Sequence, residues 1–163
     1  MQLNGLIFII PKELKWLLSV FIIVLSIGFY SGLLFVSETS SANPNGIEEQ
    51  YLGNELDEDA KVMKFRKSEK EMLTLVHGHI LSMSIIFFLV GMILSITKLN
   101  KKLKLFLMVE PFMSVLFTFG GIYFLWKGFN WMKYIVMFSG SLMTLTFTVS
   151  VIIILRQLLK CKS

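Results

Sequence analysis

Cysteine occurs once in this chain, at Cys161, and histidine twice, at His77 and His79. A single thiol excludes a disulfide framework and any cysteine-built zinc cluster. Charged residues make up only 17% of the 163 positions, against about 25% in a typical soluble domain. Together with 55% hydrophobic residues and a mean hydropathy of +0.70, this excludes a disordered chain and argues against a soluble enzyme. Phosphate-binding Gly-rich loops, Gly-x-Ser-x-Gly, His-Glu-x-x-His and His-x-x-x-x-Asp are all missing, so catalysis by this chain alone is not expected. Basic residues outnumber acidic ones, for a formal charge of +5. The lysines flank apolar runs, so membrane topology accounts for them and no nucleic-acid partner is expected.

Four apolar runs are present, roughly 14–36, 72–97, 103–126 and 131–155. Each has the ~20 residues needed to cross ~30 Å of hydrocarbon at 1.5 Å per residue. Backbone groups in lipid must be satisfied within the segment, so the runs are predicted helices. The second and third links are short and force antiparallel neighbours. The fold class is therefore all-α: one membrane domain over 1–163, an up-down-up-down four-helix bundle with a long loop, 37–71, between helices 1 and 2.

One side of the bundle carries Lys12, Lys15, the cluster Lys98, Lys101, Lys102, Lys104, then Arg156, Lys160 and Lys162. The positive-inside rule then places both termini in the cytoplasm of a bacterial inner membrane and turns the loop outward. The first span is expected to be retained, because its apolar stretch is longer than a secretory signal's. Residues 6–10 are expected in the membrane interface. Small residues four apart, Gly28 and Gly32, Gly78 and Ser82, Gly140 and Thr144, together with Gly120-Gly121, are read as contacts between helices of the same chain.

The loop opens with Asn43-Pro44-Asn45-Gly46, a turn signal. An acidic half follows, with Glu48, Glu49, Glu55 and the run to Asp59, and then a basic half, Lys61 to Lys67. Ser68 and Glu71 have capping-box spacing at the start of the second span. The loop is either a solvated linker or a cap on the bundle, with Glu48, Glu49, Tyr51 and Glu55 as cation or partner contacts.

Ionisable groups inside a membrane span are expensive and point to function. The spans offer three: His77, His79 and Glu110. A series of small and polar positions, Thr74, His77, Leu81, Ser84, Phe88, Gly91 and Ser95, predicts that His77 faces the bundle interior. His79 then turns to a neighbouring helix, two residues (about 200°) round the axis. Tyr30, Tyr134 and Met137 are expected at the level of His77. A matching inward series on the fourth span is Asn130, Tyr134, Met137, Ser141, Thr144 and Thr148. Several roles suit His77: an axial ligand of haem b, with Met137 or a histidine of another chain opposite; a ligand of a divalent metal with His79 and the loop carboxylates Glu48 and Glu49; a partner of a quinone or a proton relay; or a histidine satisfied by a neighbouring hydroxyl. Glu110 precedes Pro111, which kinks a helix. Its face, with Ser114, Phe117, Gly121 and Phe124, is predicted to turn inward. There it either keeps its proton, bonds a neighbouring helix, or pairs with Lys101, Lys102 or Lys104. Geometry keeps it about 15 Å from His77 along the membrane normal.

The segment Gly46-Ile-Glu-Glu-Gln-Tyr-Leu-Gly-Asn-Glu55, with Met63-Lys-Phe, Lys67-Ser68 and the His-x-His of the second span, resembles small uncharacterised four-span bacterial membrane proteins. His77-Gly-His-Ile-Leu-Ser-Met83 also resembles the His-x-His-Leu helix of haem–copper-oxidase-like and nitric-oxide-response membrane proteins. That resemblance implies haem or metal held by histidines on several helices, whereas no other span here has one. The sequence therefore supports two functions. One is a redox-linked role through a haem, metal or quinone site at His77. The other is a non-catalytic accessory or assembly subunit binding other membrane subunits or a second copy of itself.

Overall fold

A computed structural model describes residues 3–40, 43–55 and 62–160. The described chain is helical, and four of its helical segments are long and apolar enough to cross a membrane. Helix α1 spans Lys12–Ser40, α2 Pro44–Leu52, α3 Glu69–Ser95, α4 Lys101–Val115, α5 Gly121–Trp126 and α6 Met132–Leu158. A π-helical turn, Leu116–Gly120, joins α4 to α5, so these three pieces form the third span. The spans lie within a few residues of the limits that hydropathy predicts. Each overshoots where polar residues continue the helix past the apolar run.

Local chemistry sets the ends. Ser68 Oγ accepts the Glu71 backbone N–H and the Glu71 carboxylate accepts the Ser68 N–H, so the predicted capping box starts α3. Asn43 caps α2 through its side-chain oxygen, with Pro44 in the first turn. Asn100 caps α4 by accepting the Lys102 N–H. The core is a seam along α3, α4 and α6. Phe87, Val90 and Leu94 of α3, Leu107 and Val115 of α4, and Met143, Phe147 and Ile154 of α6 are all buried in it. On α1, Phe29 stacks on Phe147 at 4.1 Å and meets the edge of Phe87.

At one end of the bundle, residues 3–10 are fastened to the α3–α4 turn. Ile7 is fully buried and its N–H donates to the Ile96 carbonyl. Lys104 Nζ donates to the Ser95 and Thr97 carbonyls and to Asn4. Lys104, one of the three lysines expected as partners of Glu110, is thereby engaged at this end.

At the other end the loop forms a cap. Asn54 and Lys64 exchange backbone and side-chain hydrogen bonds, and Lys67 N–H donates to the Tyr51 carbonyl. Gly53 makes this approach possible. Its φ is +82°, and a Cβ there would stand 2.7 Å from the Arg66 nitrogen, closer than any side chain tolerates. Trp126 Nε1 donates to the Lys67 carbonyl, and the Arg66 guanidinium donates to the Trp126 carbonyl while lying over its ring. Glu48 pairs with Lys133 at 2.6 Å. The acidic run 56–59 and Cys161 lie outside the described residues.

Candidate functional site

The structure corrects the predicted inward faces. Of the α3 series Thr74, His77, Leu81 and Phe88 are exposed, Ser84 and Ser95 are half-buried and Gly91 is buried as expected; the other residues α3 buries include Met72, Phe87, Val90 and Leu94. On α6 the series through Tyr134, Met137 and Ser141 is exposed, while Ser139, Thr146 and Ser150 are buried. The reason is common to both helices. A hydroxyl on a membrane helix can satisfy itself by donating to the carbonyl four residues back, as Ser141 does to Met137 and Thr74 to Lys70. Such a residue has no need to face the interior, so polarity is a poor guide to which side packs.

His77 is exposed on α3. His79 turns towards the third span: its ring lies 4.7 Å from that of Phe119, and its Nδ1 is 2.8 Å from the Leu75 carbonyl oxygen. A carbonyl only accepts, so that contact places a proton on Nδ1. Tyr134 and Met137 face away from the packed seam. Tyr30 lies deeper than expected. It shares a 2.7 Å hydrogen bond with Thr148 on α6, beside Phe29 and Phe147; both of those rings meet Phe87, which is ten residues, about 15 Å, along α3 from His77. Glu48 is held by Lys133, and Glu49 sits on α2 of the cap. Among the described residues no three His, Cys, Asp or Glu side chains converge as a metal site would require.

Glu110 is where the prediction of an inward face holds. It is 8% exposed, and Ser114 Oγ donates to its Oε1. Its Oε2 is buried without a hydrogen-bond partner. The same face continues through Ser114 to Thr118, whose hydroxyl shares a 2.8 Å bond with Ser139 of α6. Sequence spacing extends the face to Phe117 and Phe124, yet both are exposed. The π-helical turn inserts a surplus residue and shifts the inward track to Thr118, then Gly121, Ile122 and Leu125. Thr118's partner Ser139, and the buried Thr146 and Ser150, lie off the inward series that the sequence predicts for α6.

Two further features escape the sequence reading. Gly28 and Gly32 face open space: a Cβ at either would meet nothing within 4 Å. The intramolecular reading of this pair is thereby overturned. Beside them, an open groove of about 470 Å³ runs between α1 and α6, lined by Ile23, Ile27, Tyr30, Leu34, Val151 and Leu155 among others. By contrast Gly121 is a true contact, with its Cβ position 2.9 Å from Val136.

No curated protein and no solved structure matches the chain. A family model of a transmembrane helical domain, Aq_1264_TM, matches residues 41–163. The match starts directly after α1 and takes in the cap, α3, the third span and α6. With the four spans in place, the chain is an integral, multi-pass protein of the lipid bilayer, and it belongs to the Aq_1264_TM family of transmembrane helical domains.

Proposed function

We propose that the protein is a non-catalytic subunit of a membrane assembly, in which α1 lies against a transmembrane helix of a partner protein. The observation that carries this reading is the state of α1. Only 17% of its most apolar window is buried, against 28%, 50% and 39% in the other three spans. Low burial alone is satisfied by lipid, which is as apolar as leucine. Gly28 and Gly32 add the specific element. Glycine in a helix costs about 1 kcal/mol relative to alanine, and two glycines four apart form the surface on which helix backbones approach closely in membranes. Here that surface is open. The folded cap fits the same reading: Glu48, Arg66 and Trp126 are engaged within the chain and present a fixed platform.

A haem, metal or quinone centre at His77 has less support: His77, Tyr134 and Met137 are exposed, Glu48 is paired with Lys133, and no three metal-ligating side chains converge among the described residues. The basic residues at the terminal end support an orientation with both termini in the cytoplasm of a bacterial inner membrane.

The test is site-directed crosslinking in native membranes. Cys161 is replaced by Ser, and Phe35, exposed on the glycine side of α1, by Cys. A crosslink from position 35 to one identified membrane protein, lost on Gly28→Leu and Gly32→Leu, is the expected result. Crosslinks that ignore both substitutions, or a purely homodimeric product, refute the proposal. So does a Soret band or stoichiometric metal in the purified protein that disappears in His77→Ala.

A further inference from the structure

We propose that Glu110 is an exchangeable proton-binding site within the membrane, with the hydroxyls of Ser114, Thr118 and Ser139 as the proton's route towards the cap end. A carboxylate in hydrocarbon or in a packed core requires a counter-charge or a proton. No counter-charge is at hand. On its own helix Lys104 is bound to the α3 terminus, and Lys101 and Lys102 are exposed. The two ion pairs among the described residues, Glu69–Lys127 and Glu48–Lys133, both lie at the cap end.

The helices packed on α4 fix what faces Glu110. The Thr118–Ser139 bond sets the antiparallel register of α4 on α6. Counting back from it puts Glu110 level with Phe147, between the buried Thr146 and Ser150. From Ile135 to Leu155, α6 has no ionisable residue. On α3, the approach of Gly91 to Met108 sets the level, and Ile80 to Ser95 contains no ionisable residue either. His79 stands beside Phe119, nine residues or about 13 Å further along the third span. Tyr123 of α5 lies further still, in contact with Lys127 and Trp126. On α1, the Tyr30 hydroxyl is engaged with Thr148.

The carboxyl itself has one oxygen occupied and one free. Oε1 accepts from Ser114, and the proton belongs on Oε2, the buried oxygen without a partner. From there hydroxyls recur every four residues, about 6 Å along the helix, at Ser114 and Thr118, and cross to Ser139. The Ser139 hydroxyl donates to the Ile135 carbonyl, one turn nearer the cap, so in this pair Thr118 donates and Ser139 accepts. The helical hydrogen-bond ladder changes from α to π pattern along this stretch, a feature common at functional sites. This site lies outside the α1 surface, and its failure would leave the partner proposal untouched.

The experiment uses the full chain in liposomes with dicyclohexylcarbodiimide. The reagent adds to a protonated carboxyl: the acid proton moves to a carbodiimide nitrogen, the carboxyl oxygen bonds the central carbon, and the adduct rearranges to a stable N-acylurea without loss of atoms. The expected label maps to Glu110 at neutral pH, is indifferent to sodium, and is absent in Glu110→Gln. Infrared spectra show a protonated-carboxyl stretch that Glu110→Gln removes and that shifts on transfer to D2O while the helices stay intact. Thr118→Val slows that shift at least tenfold. Absence of both label and stretch in folded protein overturns the proposal, as does protection by sodium, which would make a metal ion the occupant. A stretch that exchanges only on unfolding, or exchange unaffected by Thr118→Val, overturns the exchangeable route.

Discussion

Gly120 and Gly121 are neighbours in sequence, have nearly the same helical backbone angles, and differ in one respect. A Cβ on Gly120 meets nothing within 4 Å, whereas one on Gly121 stands 2.9 Å from Val136 Cγ2. Val136 is 5% exposed, and a β-branched side chain on a helix has essentially one rotamer, so it cannot swing aside. Substitution by alanine gains up to about 1 kcal/mol of helix propensity at either position. At Gly121 it also incurs an overpacking cost of about 1–3 kcal/mol, since α5 must move off α6. Gly120→Ala should therefore be neutral or stabilising and Gly121→Ala destabilising, with a gap of about 1–3 kcal/mol that is free of the propensity term. Reversible unfolding in mixed micelles measures both. Val136→Ala should close most of the gap when combined with Gly121→Ala, giving a coupling that a double-mutant cycle reads directly. Equal stabilities for the two single variants, or zero coupling with Val136, would refute the close approach of α5 to α6.

Three predictions concern the cap. Gly53→Ala forces a side chain into φ +82° and against the Arg66 nitrogen, a strain of about 1–3 kcal/mol. Amide hydrogen exchange across residues 62–67 should accelerate while that of α6 is unchanged. Trp126→Phe removes the donor to the Lys67 carbonyl and weakens the contact with Arg66, a loss of about 1–2 kcal/mol. A drop in Tm should show it. Burial pushes the Tyr51 phenol above its ordinary value. Its folded state thus holds the proton more tightly than the unfolded state, so the associated stability is complete below about pH 10 and is lost as pH rises through the folded-state value. Tyr51→Phe should flatten that alkaline loss in pH-dependent unfolding.

The span limits, the antiparallel order and the Ser68–Glu71 cap were legible because each depends on local composition and spacing. The faces were not. Apolar residues surround a membrane helix, so there is no polar side to mark the outside as there is in water. The small and polar residues used in its place led to His77 and Met137, which are exposed, and away from Ser139 and Ser150, which are buried. Glu110 was legible because a carboxyl, unlike a serine, cannot satisfy itself on its own backbone. Its continuation to Thr118 was not, because a π-helical turn leaves no mark in hydropathy.

That turn has a consequence for chain length. A deletion within a continuous α-helix rotates everything beyond it by about 100°, so the core face leaves the core. A π turn already contains one residue more than the α-helical path needs. Phe117, within the turn, and Leu145, in the middle of α6, are both lipid-facing, at 53% and 59% exposed, so neither deletion removes a core side chain directly. Deleting Phe117 should convert the turn to α-helix, keep α5 in place on α6, and cost within about 2 kcal/mol. Deleting Leu145 should turn Phe147, Val151 and Ile154 out of the seam or Val136 and Met143 out of theirs, at about 2–5 kcal/mol for each large side chain displaced, which is enough to abolish cooperative unfolding. The same micelle assay decides. If ΔPhe117 is as damaging as ΔLeu145, the third span is an unbroken α-helix, and the shift of its inward face to Thr118 needs another cause.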